Sequence, residues 1–158
     1  MRVNIQLQQD RIRSDERMKN HEMLRSKGEH LYATIDEFEK SFRHNMTAVS
    51  MTLRKDGKQK AIGVMDLNTC STALQTIEML AKVYFPSTAI ALEDLDANWG
   101  KRGTISLKIM DSSDQVNAKE TANELVLLSA SIAGSAEKLQ KEVIQSLQAL
   151  HADVVNPD

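Results

Sequence analysis

Between Leu125 and Leu150 the apolar side chains fall at Leu125, Leu128, Ile132, Ala136, Leu139, Val143, Leu147 and Leu150, with spacings of 3, 4, 4, 3, 4, 4 and 3. This is an eleven-residue repeat, about 3.67 residues per turn, and it reads as one long helix whose apolar stripe needs a cover. The proline-free stretch from about Asp10 to Asn45 reads as a second long helix. Its later half is amphipathic through Leu31, Ile35, Phe38, Phe42 and Met46. Its earlier half scatters Ile12, Met18, Met23 and Leu24 among charges, so residues 10–28 are expected to project from the body or to meet a second subunit. Gly28 separates the halves, where a break or bend in the helix is expected, at a cost of about 1 kcal/mol relative to Ala. Val3, Ile5 and Leu7 alternate with polar residues, the pattern of a short strand or of a frayed helix start.

After residue 46 a period of two takes over. Val49, Met51 and Leu53 alternate with Ser50, Thr52 and Arg54, and Asp56-Gly57 follows, a favoured pair for a two-residue hairpin turn. Folding about that turn sets Val49 opposite Val64 and Met51 opposite Ile62, which predicts a β-hairpin over 47–66. The stripe of 31–46 also extends formally through Val49 and Leu53, but the β-branched residues and Asp-Gly favour the hairpin. Asn68 or Thr69 then caps a helix running to about Phe85, with Cys70, Leu74, Ile77, Ala81 and Tyr84 on one side and Pro86 ending it. Residues 89–97 suggest a short helical turn, and Gly100 and Gly103 bracket a loop. Ile105, Leu107 and Ile109 alternate as a third strand, and Ser112 with Gln115 has the form of a capping box for the last helix.

These elements predict an α+β fold, with long N- and C-terminal helices and a central helix packed on a small, three-stranded, mostly antiparallel sheet. The chain reads as a single domain over 1–158, with 152–158 as a tail. A right-handed crossover through the central helix would bring the start of the third strand to the hairpin tip. That end would gather Arg54, Lys55, Lys58 and Lys60 with Trp99, Lys101 and Arg102.

Net charge is −2, too small for a global field that draws in nucleic acid or membrane. The distribution is uneven: residues 1–60 carry a net +4 and residues 61–158 a net −6, so the halves suit packing on each other or on another copy. The single cysteine, Cys70, excludes an internal disulfide and fits a reducing compartment. No apolar run has the length of a signal peptide core or a membrane span, so a cytoplasmic protein is expected.

Candidate chemistry is sparse. His21, His30, His44 and His151 lack the close pairing of metal sites, and His30 and His44 would stand roughly 21 Å apart on one helix. Glu93, Asp94 and Asp96 lack the ligand spacing of a calcium loop. Cys70 near a helix start has the placement of an activated thiol, but its position on an apolar stripe favours a structural one. Glycine-rich phosphate loops, dinucleotide fingerprints and serine-nucleophile elbows are absent from the sequence, so no catalytic, cofactor or metal residues are expected.

Small residues from Ser129 to Ala136 mark a helix crossing, against residues 31–46 or between subunits. Eight methionines serve mainly as core filler. The leading expectation is a non-catalytic interaction or assembly protein (adaptor, chaperone or structural subunit), forming a homo-oligomer or binding a partner protein. Its helix interface would use Leu31, Ile35, Phe38, Phe42, Leu128, Ile132, Leu139, Val143, Leu147 and Leu150. The alternative is nucleic-acid binding through the basic tip, with Trp99 as a stacking surface.

Overall fold

In the computed structural model the stripe that begins at Leu31 does not stop at Met46. It runs on through Val49 and Leu53, and all seven of its side chains are buried. They belong to one helix, α1 (Arg2–Asp56), followed by α2 (Lys58–Val64), α3 (Asn68–Tyr84), α4 (Ala89–Met110) and α5 (Ala118–Val155), with a 3-10 turn at Pro86–Thr88. The structure describes residues 2–111 and 117–155, and the side chains of 2, 3 and 154 are left aside. The expected capping pair Ser112 and Gln115 and the tail residues Asn156, Pro157 and Asp158 lie outside the described residues.

The α+β expectation is therefore corrected to an all-α fold, with no strand among the described residues. A hairpin over 47–66 would have covered Val49, Met51, Ile62 and Val64 together. Only Val49 is buried; Met51, Ile62 and Val64 are 52%, 37% and 41% exposed. Within this helix the Thr47 and Thr52 hydroxyls donate to the carbonyls of Arg43 and Ala48, one turn back, so both are satisfied without a sheet. Gly57, at φ 85°, ends α1 and redirects the chain into α2, so Asp56-Gly57 is a helix stop instead of a hairpin turn.

The third strand fails in the same way. Ile105 and Ile109 are buried one helical turn apart in α4, whereas Leu107, which a strand would place beside them, is 69% exposed. Gly100 and Gly103 lie within α4 and not in a loop; nothing stands within 4 Å of where their Cβ atoms would be. Two helix ends are also satisfied differently from expectation. The Asp66 carboxylate accepts from the backbone of Asn68 at α3, and the Asn117 side chain accepts from Lys119 and Glu120 at α5.

α1 packs along α3 and α5, α4 packs along α5, and α2 fills the corner between α1 and the end of α4. The core is continuous, from Leu53 at one end to Phe85 and Val143 toward the other. Asp94–Lys138 and Glu124–Lys108 ion pairs at 2.6 and 3.0 Å tie α4 to α5 on its solvent side. At the far end the α3–α4 turn stops level with Ser146, where the Ser87 and Ser146 hydroxyls bond at 3.1 Å. Beyond this turn α1 and α5 run on without the other two helices. Level with the turn itself, where Lys27 lies over the Tyr84 ring, α5 comes so near α1 that a Cβ on Gly28 would stand 2.7 Å from a methyl of Leu147.

Two substitutions separate these glycine roles. Gly100→Ala with Gly103→Ala is expected to raise stability by about 0.5–1 kcal/mol per site, because a helix interior gains propensity into open space. Gly28→Val is expected to cost about 1–3 kcal/mol by pushing Leu147 aside, with partial recovery on adding Leu147→Ala. Chemical unfolding midpoints check both.

Candidate interaction surface

Eight of the ten expected interface residues are used within the chain itself. Leu31, Ile35, Phe38 and Phe42 on α1 and Leu128, Ile132, Leu139 and Val143 on α5 are buried in one core. Leu147 is half-buried against Gly28, and Leu150 is half-buried near the end of α5. The small-residue section of α5 lies at a crossing inside the chain. Ser135 receives the Asn98 amide of α4 at 2.6 Å, and Ala133 shares a cleft with Arg43 and Met46 of α1.

The basic residues do not meet in a tip. Arg54 and Lys55 end α1, where Arg54 donates to the Asn123 side chain at 2.8 Å. Lys58 of α2 reaches the Asp111 carbonyl, and Lys60 pairs with Asp56. Trp99, Lys101 and Arg102 sit in mid-α4, roughly 18 Å along the helix from Asp111. The Trp99 ring packs 5.6 and 5.9 Å from Phe38 and Phe42, and the Arg102 guanidinium lies 4.0 Å over it. Trp99 is thus a half-buried core anchor, held by two rings of the core and by the Arg102 guanidinium over it. Lys101 bonds the neighbouring Asn98 side chain.

The longest unbroken run of exposed residues among those described is the N-terminal part of α1. Residues 4–20 are exposed throughout. At about 100° per residue, the face that continues the core stripe is polar here: Gln6, Asp10, Arg13, Arg17 and Asn20. The segment therefore has no apolar edge with which to join its own bundle, and it stands out as a single-helix arm. Its apolar residues lie on two other lines. Ile5, Ile12 and Met23 form one, and Leu7 and Met18, 56% and 55% exposed, form the second.

The second line leads into a cleft of about 450 Å³ at the root of the arm. His21, Glu22, Arg25 and Glu29 form its α1 wall, and Ile144, Leu147, Gln148, Leu150 and His151 its α5 wall. His21 Nε2 donates to the Leu150 carbonyl at 2.6 Å, which fixes the last turns of α5 against the arm. Periodicity alone did not point to His21, Ile144 or Gln148, because they flank the stripe. The usable signal was the point at which Pro86 ends α3, since it sets where the bundle stops covering α1 and α5.

Two buried groups are chemically distinctive. Burial pushes the Cys70 thiol up to about 11, only partly offset by the positive charge of Arg102, so it stays neutral and inert near neutral pH. Burial also pushes the Asp96 carboxyl up to about 6, reinforced by the facing Glu78 and partly offset by Lys82. Asp96 Oδ1 is enclosed without a donor, and two carboxylates bond only if one holds a proton. Among the described residues no three His, Cys, Asp or Glu side chains are close enough to hold a metal ion. No described helix is long and apolar enough to cross a membrane. Comparisons with protein-family models, curated proteins and solved structures find no match to this chain.

The carboxyl pair gives a pH dependence of defined sign. The folded protein holds the Asp96 proton more tightly than the unfolded chain, whose carboxyl titrates near 3.8. This contribution to stability is complete below pH 3.8 and is lost as pH rises through about 6. Asp96→Asn is expected to remove that loss and to be more stable than the parent at pH 7, by on the order of 1 kcal/mol after solvent screening. Thermal unfolding from pH 4 to pH 8 checks it.

Proposed function

We propose that this chain is a non-catalytic interaction and assembly protein that associates through helices, and that its contact surface is the α1 arm with the cleft at its root. The observation that supports this is the exposed arm itself, residues 4–20. A lone helix of that length is marginal in water, because most helical stability in proteins comes from tertiary packing of one face. A partner helix would supply the packing that the bundle does not. Leu7 and Met18 offer apolar contacts along the arm, and Leu147 and Leu150 offer them in the cleft.

The charge of the arm points to protein as the partner class. Over residues 10–19 it holds Arg11, Arg13, Arg17 and Lys19 against Asp10, Asp15 and Glu16, an almost balanced set. A polyanion binder would carry one sign of charge along such a helix. A cytoplasmic setting accords with the one cysteine, kept as a buried thiol.

Site-specific photocrosslinking in cells tests the reading. A crosslinker at Met18 or at Gln148 is expected to give protein adducts, whereas one at the exposed positions Thr72 or Lys101 is not. Absence of adducts at both Met18 and Gln148 would overturn it.

A further inference from the structure

We infer that the partner of the arm is a second copy of this chain, docked antiparallel with Ser14 of each copy at the two-fold axis. This rests on the helix-association reading above and adds the identity and register of the partner. Leu7, Ser14 and Met18 share one line of the arm, with Arg11, His21 and Arg25 close to it. This is the side on which the root cleft opens, since His21 and Arg25 line that cleft.

The register follows from size, apolar fit and charge. Ser14 is the smallest residue on the line between Leu7 and Met18, so it suits the point of closest helix approach. With Ser14 opposite Ser14, Leu7 of one copy comes level with His21 of the other. His21 is bonded to Leu150, so the incoming Leu7 stands at the mouth of the apolar cleft. On one side of the seam Asp10 falls within one residue of the level of Arg17 on the second copy. On the other side Arg11 falls within two residues of Asp15, and the symmetry makes each pairing twice. A parallel arrangement would instead set Arg11 against Arg11 and Arg25 against Arg25, with like charges on the seam. The antiparallel pair joins opposite charges on both sides, and the mixed sign of the arm is then self-complementary.

Size-exclusion chromatography with light scattering on the full chain tests the proposal. The expected mass is twice 17.7 kDa. Asp10→Arg is expected to weaken the dimer about tenfold by facing Arg17, and Asp10→Arg with Arg17→Asp to restore it. Ser14→Cys, treated with diamide, is expected to link two copies through a disulfide, whereas Ile12→Cys on the opposite face is not. These positions make no contact with the bundle, and unchanged thermal unfolding of diluted variants verifies that they fold. A chain that stays at 17.7 kDa at several hundred micromolar overturns the inference. So does a dimer that ignores Asp10→Arg and yields no Ser14→Cys link. Photocrosslinks from Met18 to a different protein would leave helix-mediated association standing while removing the second copy as its partner.

Discussion

The contact between α1 and α5 is the constraint on which the other elements depend. Leu31, Phe42 and Leu53 stand eleven residues apart on α1, and Leu125, Ala136 and Leu147 repeat the same interval on α5. Eleven residues complete very nearly three turns of an α-helix, so neither stripe drifts far around its axis and the two helices stay in register over many turns. α3 then packs along α1 and α4 along α5, with Ile77 and Leu80 from one and Leu95 and Ile109 from the other closing the core. Fully burying a side chain of the size of Leu or Phe contributes about 1.5–3 kcal/mol, so the paired stripes dominate the favourable terms.

The same stripes decide how much of the fold was legible. The α5 repeat, the 31–46 face and the helix ended by Pro86 were readable because several buried positions agreed on one period. The chain from Val49 to Val64 was misread because local signals outweighed a longer one. β-branched residues and Asp-Gly carry at most about 1 kcal/mol of preference each, whereas the α1 stripe places Val49 and Leu53 in a core already shared by Phe42 and Met46. Ile105, Leu107 and Ile109 misled similarly. Positions two apart and four apart both contain Ile105 and Ile109, and only the exposure of Leu107 separates strand from helix. Gly100 and Gly103 strengthened the error by resembling loop residues while facing open space in a helix.

Most of the expected interface residues are spent inside the chain for a related reason. A sequence shows that Leu31 to Phe42 must be covered, but not whether the cover comes from the same chain. Once α5, α3 and α4 cover them, the longest exposed stretch is the part of α1 where the stripe phase turns polar, at Gln6, Asp10, Arg13 and Arg17. Trp99 shows the same ambiguity from the other direction. Beside Lys101 and Arg102 in the sequence it resembles a base-stacking residue, yet Phe38 and Phe42 hold it against the core and Arg102 lies over its ring.

The near-touching of Gly28 and Leu147 has a mechanical corollary. It lies level with the last turn of α3, where the Lys27 ammonium stands 5.5 Å over the Tyr84 ring, which makes it the fulcrum for the roughly 39 Å of α1 that runs on towards Arg2. A tilt of roughly 10° there would sweep the tip of α1 through about 7 Å by simple lever geometry. The hydrogen bond from His21 to Leu150, one to two turns beyond the fulcrum, is a brace against that swing. Whatever grips the distal rod therefore pulls on the last turns of α5 as well, and those two helices answer a load as one beam.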